Sequence, residues 1–246
     1  MQISDYTLYG AITLILSMIF SMGGSGSGIA LIPILSFLGL DFLYAKAYGL
    51  FAGATTTITS SVMNIKRGAV NIIEALPIAI AMLIFAPVGA YLSKFVNQEL
   101  VKLLFALLLL YSASMMLFGK KKAIFRANSR WILFLVGTFV GVLAGLLGVG
   151  GGNILIPLLV MLGFEPKKVA TTVSFVVPFS ALGSFATYAS MIDLDYILLF
   201  VIAICAIVGG YIGNFLMHFK LNQKQVKKLL AVMLYILAIK MLWHLV

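Results

Sequence analysis

The sequence predicts an all-α polytopic membrane protein of two inverted repeats, each a glycine-broken helical hairpin followed by three transmembrane helices. Three observations predict this fold class. The chain of 246 residues is 63% hydrophobic and 10% charged, with a mean hydropathy of +1.15, more apolar than a soluble fold requires. Apolar runs long enough to span a membrane recur along it. A glycine-rich stretch inside an apolar segment is written twice, 124 residues apart, which is typical of transporters with broken helices.

The repeated stretch reads Gly-Ser-Gly-Ser-Gly at residues 24–28 and Gly-Val-Gly-Gly-Gly at residues 148–152. At matching positions each copy is followed by a proline, Pro33 or Pro157. The same offset of 124 residues separates Gly39 from Gly163. The halves also match where residues 86–91 recur as 206–211. We therefore predict an N-terminal repeat (1–118), a basic cytoplasmic linker (119–130) and a C-terminal repeat (131–246).

The apolar segments follow one another in a regular order. They are expected at residues 7–22, 29–38, 45–64, 72–92, 100–118, 131–147, 153–162, 168–190, 195–217 and 226–245. The second and seventh have ten residues, about 15 Å of helix, which is half of a hydrocarbon core. These two segments therefore cannot span a membrane alone. The N-terminus has no basic region or small-residue cleavage site, so it is expected to be a retained segment.

The distribution of basic residues decides how the broken segments cross. If residues 7–38 and 131–162 each cross once, Lys and Arg divide 8 to 9 between the two sides. If each segment enters and returns as a hairpin, they divide 13 to 4. Cytoplasmic loops carry the excess of Lys and Arg, so the second arrangement is favoured, with both termini outside. The net charge of +10 then reflects orientation in the membrane rather than nucleic-acid binding.

A hairpin of this kind predicts an anion site made of backbone. Its glycine turn lies at mid-membrane depth, where unpaired backbone survives only inside protein or along a cavity. The first N–H groups of the following half-helix lack intrahelical partners and carry about half a positive charge. Two inverted copies would direct two such helix ends at one central point. Pro33 and Pro157 either begin the half-helices or lie one turn inside them, where each frees the carbonyl four residues earlier.

Hydroxyl groups are concentrated in the helix after each hairpin, and they are candidate donors to an oxyanion. For the glycines the alternative interpretation is close helix packing, and for the hydroxyls it is bonding to their own helix or to a neighbouring one. The predicted substrate-binding residues are Gly24, Ser25, Gly26, Ser27, Gly28, Gly150, Gly151, Gly152, Asn153, Thr56, Ser60, Ser180 and Ser184, with Pro33 and Pro157 in structural roles.

Several chemistries are excluded by what the spans lack. All seven acidic residues fall in loops or at span ends, so no proton relay or catalytic pair is predicted. Cys205 is the only cysteine, which excludes an intramolecular disulfide and a thiolate metal cage. No metal site and no cofactor are expected. Lys46 and Lys240 also fall near span ends, so we expect no buried Lys or Arg and weak anion binding.

The second glycine motif (148–152), the aligned Pro157 and Gly163, and the segment Lys-Arg-Gly-Ala-Val-Asn at 66–71 resemble the TauE/SafE sulfite exporter family. The resemblance covers essentially the whole chain. It implies a two-repeat permease of a prokaryotic inner membrane that carries sulfite, sulfonates or other sulfur-containing anions. The first motif departs from the glycine-rich pattern because Ser25 and Ser27 stand among its glycines.

The leading hypothesis is a secondary carrier for small sulfur-containing oxyanions such as sulfite, sulfonates or thiosulfate. Its repeats would rock about a central site. An anion channel is the alternative, and a membrane-embedded enzyme or assembly factor is the alternative of another class. The expected partners are a small anionic substrate and the lipid bilayer, without nucleic acid. Direction of flux, a coupling ion and the oligomeric state are left open.

Overall fold

The computed structural model describes residues 3–118, 129–164, 166–219 and 223–243. Within these ranges the regular structure is entirely helical. The helices are α1 (Ile3–Ser21), α2 (Gly28–Phe37), α3 (Phe42–Lys66), α4 (Ile72–Leu92), α5 (Gln98–Phe118), α6 (Arg130–Leu147), α7 (Gly152–Met161), α8 (Pro166–Ala189), α9 (Tyr196–Phe219) and α10 (Gln223–Trp243).

The predicted all-α class is confirmed, and every predicted apolar segment corresponds to one helix with ends that differ by at most four residues. Five helices of the described chain, α4, α5, α6, α8 and α9, are long and apolar enough to cross a membrane. Helices α2 and α7 have ten residues each, as expected. The chain is thus a polytopic membrane protein. Most of the predicted linker, residues 119–128, lies outside the described residues.

Helices α1 and α9 run side by side in the same direction. At their beginnings the Tyr6 hydroxyl donates to the Asp195 carboxylate, and further along the Ser21 hydroxyl donates to the Gly210 carbonyl at 2.8 Å. Helix α3 runs parallel to α9 as well, because Asp195 N–H donates to the Tyr48 hydroxyl at 2.9 Å near both beginnings. Since α1 and α3 point the same way, the chain must turn back between them. Helix α2 is the returning segment.

The same relation holds in the second half. Helix α6 runs parallel to α4, since a Cβ on Gly137 would lie 2.8 Å from the Ala81 Cβ, and one on Gly141 3.2 Å from the Met82 Cα. Helix α8 is parallel to α4 too: Thr171, near its beginning, donates to the carbonyl of residue 69, just before α4, and Gly183 packs on Pro87 near both ends. Helices α6 and α8 therefore share a direction, and α7 returns between them.

Helices α3 and α8, which hold equivalent places in the two predicted repeats, point in opposite directions. Helices α3 and α8 pack antiparallel, because the Lys46 ammonium lies 3.3 Å from the Tyr188 hydroxyl and the Asn64 amide donates to Ser174 at 3.0 Å. Exchanging α1–α5 for α6–α10 also maps the packing onto itself. The α1–α9 pair corresponds to α4–α6, α3–α9 to α4–α8, and α2–α3 to α7–α8, while α3–α8 and α5–α10 each map onto themselves.

Candidate substrate site

Both glycine turns lie at the level of the middle of a long helix. In the first turn, which joins α1 to α2, a Cβ on Gly26 would lie 3.0 Å from the carbonyl oxygen of Gly53, halfway along α3. In the second turn, which joins α6 to α7, the Gly150 carbonyl accepts a hydrogen bond of 2.6 Å from Ser180, just past the middle of α8. The sequence predicts this depth for turns that bind a substrate.

The two turns touch each other. A Cβ on Gly152 would lie 3.1 Å from the carbonyl oxygen and 3.2 Å from the Cα of Ser25. Residues 24–33 of the first half and 147–155 of the second are buried without exception. The predicted backbone site of each half is therefore enclosed by protein and adjoins the other.

The first N–H groups of both half-helices lack a protein acceptor. In α2 the first bonded N–H is that of Ala30, which donates to Ser27 O at 3.2 Å, and in α7 it is that of Ile154, which donates to Gly151 O at 3.1 Å. Within the described chain the N–H groups of Gly28 and Gly152 donate to no acceptor. The N–H groups of the next residues, Ile29 and Asn153, likewise donate to none. Leaving a buried donor unpaired costs about 1–3 kcal/mol. These N–H groups are suited to an anionic acceptor, because the helix dipole adds partial positive charge at the same point.

The prolines lie one turn inside the half-helices, so the second of the two expected arrangements holds. Pro33 and Pro157 are each the sixth residue of their helix. Because proline has no N–H, the carbonyls of Ile29 and Asn153 lose their usual partner four residues on. The backbone near each turn therefore offers free acceptors as well as free donors.

Three hydroxyl groups form a closed cluster beside the first turn. Ser17 Oγ lies 2.9 Å from both Ser27 Oγ and Thr56 Oγ1, and the last two oxygens are 3.1 Å apart. All three side chains are fully buried. The cluster ties α1, the first turn and α3 together. Ser17 was not among the predicted residues, since a lone serine in an apolar span gives no signal of its own until its neighbours in space are known.

The predicted polar side chains divide into two groups. Ser27 and Thr56 belong to the cluster, Ser60 donates to the Thr56 carbonyl at 3.1 Å, and Ser180 donates to the Gly150 carbonyl. For these four, the alternative interpretation as contacts within and between helices describes what the structure contains. Side-chain oxygens of the other three have no partner within the described residues although they are buried; these are Ser25 Oγ, Asn153 Oδ1 and Ser184 Oγ.

The expectation that no Lys or Arg is buried was wrong for Lys46. Its side chain is 3% exposed and lies against Gly148, while its ammonium is 3.4 Å from the Leu146 carbonyl oxygen. Lys46 is near the end of the span in sequence, but it begins the second turn of α3 and points toward the end of α6. There the helix dipole and the carbonyl oxygens of the last turn attract a cation. The equivalent position in the second half is Ala170, which has no charge.

Comparison with known proteins gives a consistent result. A model of the family "Sulfite exporter TauE/SafE" matches residues 9–241. The chain is similar to a probable membrane transporter protein of Methanocaldococcus jannaschii, at 27% identity over 238 residues (89% of this chain, 87% of that protein). A probable membrane transporter protein of Bacillus subtilis is 24% identical, with 98% of each chain covered. A TauE/SafE family protein of Arabidopsis thaliana is 38% identical over 72 residues, which is 29% of this chain and 14% of that protein. No solved structure matches.

Proposed function

The chain belongs to the sulfite exporter TauE/SafE family of membrane transporters, and on that premise we propose that it is a secondary carrier for small sulfur-containing oxyanions. Sulfite, simple sulfonates and thiosulfate are the candidate substrates. Each is a compact anion with several oxygen acceptors, which fits the unpaired N–H groups at the beginnings of α2 and α7.

The observation that carries the proposal is the pair of buried half-helix beginnings at touching turns. The unpaired N–H groups of Gly28 and Gly152 belong to the two turns that meet where the Ser25 backbone packs on Gly152. An oxyanion that accepts from both helix beginnings would satisfy donors of both halves at once. The buried hydroxyls of Ser25 and Ser184 are further donors for it, because no protein group uses their oxygens.

Neutral donors suit a carrier better than a charged clamp. Backbone N–H and hydroxyl groups stabilise an oxyanion without a full opposing charge, so the anion binds weakly enough to be released. We propose that the two halves are inverted repeats that rock about the central site and expose it to each face in turn. The opposite directions of α3 and α8 support this arrangement. An inside-negative potential would favour export, by about 2.3 kcal/mol per charge per 100 mV.

Counterflow in proteoliposomes tests the proposal. Vesicles that contain purified protein are loaded with unlabelled sulfite, and uptake of labelled sulfite, thiosulfate, sulfate and methanesulfonate is followed. We expect saturable uptake that internal sulfite accelerates, for at least one sulfur anion. Protein-free vesicles and a Gly151→Leu variant are the controls, and both are expected to show none. Absence of uptake for all four anions would contradict the proposal, and flux without saturation or acceleration would favour a channel.

A further inference from the structure

A second candidate site is the cavity of about 280 Å³ at the end of the molecule where α3 and α5 begin and α4 ends. We refer to it as the end cavity. Its lining includes Phe42 and Lys46 from α3, Ser93 and Lys94 at the end of α4, and Gln98 from α5. It lies one half-helix away from the glycine turns, on the face opposite the loop of Lys66 and Arg67.

The charge of Lys46, at the cavity wall, is poorly satisfied by protein. Its two polar contacts, to Tyr188 Oη at 3.3 Å and Leu146 O at 3.4 Å, are longer than charge-assisted bonds of about 2.7–2.9 Å. No carboxylate among the described residues forms an ion pair with it. The carboxylate of Asp41, at the same end of α3, is near enough to attract the Lys46 ammonium, but it accepts from the N–H of Leu43 and forms no ion pair with the lysine. A buried ammonium in this position is stabilised when an anion reaches it.

A second lysine side chain lines the same cavity, and a third lies beside it. Lys94 is part of the lining, with its ammonium 5.4 Å from the centre of the Tyr91 ring. The Lys102 ammonium lies 5.5 Å from the centre of the Phe42 ring, on which Lys46 also lies at 5.1 Å. This face has only four basic residues by the predicted topology, and the fourth is Lys240. The rule that places Lys and Arg on the cytoplasmic side predicts few lysines here. It gives no reason for two of the four to line one cavity while a third lies on the ring of Phe42, a lining residue, whereas binding of an anion does.

We propose that the end cavity is a second anion subsite, which takes one small oxyanion with the Lys46 ammonium as its deepest contact. The amide of Gln98, which also lines the cavity, is a further donor. The identity of the ligand as a sulfur oxyanion rests on the proposed function, but the existence of the subsite does not.

The position of Lys46 connects the end cavity with the central site. Its stem packs on Gly148, and its ammonium contacts the last turn of α6, immediately before the second glycine turn. An anion in the cavity competes with the Leu146 carbonyl for the ammonium. Because the equivalent residue of the other half is Ala170, the subsite exists on one face only. The carrier would then differ in affinity for the anion at its two faces.

Titration calorimetry of purified protein with sulfite, in a Gly151→Leu background that blocks the central site, tests the subsite. We expect Gly151→Leu to bind one sulfite, and addition of Lys46→Met to weaken binding at least tenfold. Lys46→Arg, which keeps the charge, is expected to stay within about threefold, as is the control Lys240→Met, which removes a lysine of the same face outside the cavity. Equal binding by the Lys46→Met and Lys240→Met variants would overturn the proposal.

The outcome separates this proposal from the proposed function. If wild-type protein moves no anion in vesicles but Gly151→Leu binds sulfite through Lys46, the subsite stands and the transport proposal fails. If wild-type protein transports sulfite and Gly151→Leu binds none, the subsite is overturned. Should Lys46→Met not fold, Lys46→Gln, which is also neutral but more polar, replaces it in the same background. A weakening of at least tenfold is expected for that variant, and unchanged binding would overturn the proposal.

Discussion

The backbone of Ser25 packs directly on Gly152, so the glycine turns of the two halves are in contact. A Cβ at residue 152 would lie 3.1 Å from the Ser25 carbonyl oxygen, closer than nearly all Cβ contacts. An anion held by the first N–H groups of α7 therefore lies beside the first turn as well. Substrate binding and relative movement of the halves are coupled through this contact in the proposed mechanism.

Gly151→Ala is expected to abolish transport while the protein remains folded. Gly151 has a φ of +79°, which strains any side chain. A Cβ there would displace the Met82 methyl group, at 2.5 Å, and would press on the Ala144 Cβ at 3.0 Å and the Val140 Cγ1 at 3.1 Å. The control is Gly68→Ala, since Gly68 has a φ of +64° with open space around its Cβ position. Each variant loses about 1–3 kcal/mol of stability from backbone strain. Uptake of sulfite and melting temperature are measured together, and loss of transport in both variants would contradict the site.

Ser25→Ala and Ser27→Ala are expected to affect different properties, although the two serines are only two residues apart. Ser27→Ala should lower the stability of the protein, and Ser25→Ala should weaken its binding of the anion. Ser27 Oγ bonds to two hydroxyls of the cluster, so its removal is expected to cost about 1–2 kcal/mol of stability. Ser25 Oγ has no partner, so its removal leaves the melting temperature nearly unchanged. Loss of a donor to the anion raises the half-saturating sulfite concentration about tenfold for Ser25→Ala. A Ser25→Ala variant with wild-type half-saturation would remove that residue from the proposed site.

The Tyr6→Phe variant is expected to lose a pH-dependent part of its stability. The hydrogen bond from Tyr6 holds the pKa of the Asp195 carboxyl below its usual 3.8, with help from the backbone N–H groups of Leu198 and Ile197. Because the folded pKa is lowered, the contribution is present above the ordinary carboxyl pKa and is lost as pH falls through the lowered value.

Melting temperatures of wild-type and Tyr6→Phe protein between pH 3 and pH 7 measure this contribution. We expect the difference to be constant near neutral pH and to shrink below about pH 4. Tyr9→Phe on the same helix is the control, since the Tyr9 hydroxyl makes no hydrogen bond within the described chain, and its difference is expected not to vary with pH. A Tyr6→Phe difference that grows toward acid pH would show that the bond does not stabilise the charged carboxylate.

The helices could be predicted from sequence because the signals for them are local. Apolar length sets each span, and the glycine motifs interrupt the apolar runs just where α2 and α7 begin. The distribution of Lys and Arg predicted that the chain turns back at α2. The Tyr6–Asp195 and Tyr48–Asp195 contacts agree with this, because they show that α1 and α3 run in the same direction. The orientation of the helices in the membrane, which the same distribution predicts, stays a prediction.

The roles of single polar residues could not be predicted in this way. Ser25 and Ser27 are equivalent in sequence, but the partners of Ser27 come from α1 and α3, which only the packed fold brings together. Lys46 is near the end of its span by count, but the inward direction of its side chain depends on the position of α6. Such assignments depend on long-range packing, about which a repeat pattern carries no information.

The final prediction concerns orientation in the membrane, which the structure leaves to experiment. Lys66 lies shortly before α4 begins and Lys94 shortly after it ends, so these two exposed residues lie at opposite ends of α4. The 13-to-4 division of basic residues predicts that Lys66 faces the cytoplasm and Lys94 the outside. After Cys205→Ala removes the native thiol, Lys94→Cys and Lys66→Cys are introduced one at a time. In intact cells a membrane-impermeant thiol reagent is expected to label only Lys94→Cys, whereas permeabilised cells label both. The Cys205→Ala parent controls for background, and the reverse pattern would invert the proposed orientation and place the end cavity at the cytoplasmic face.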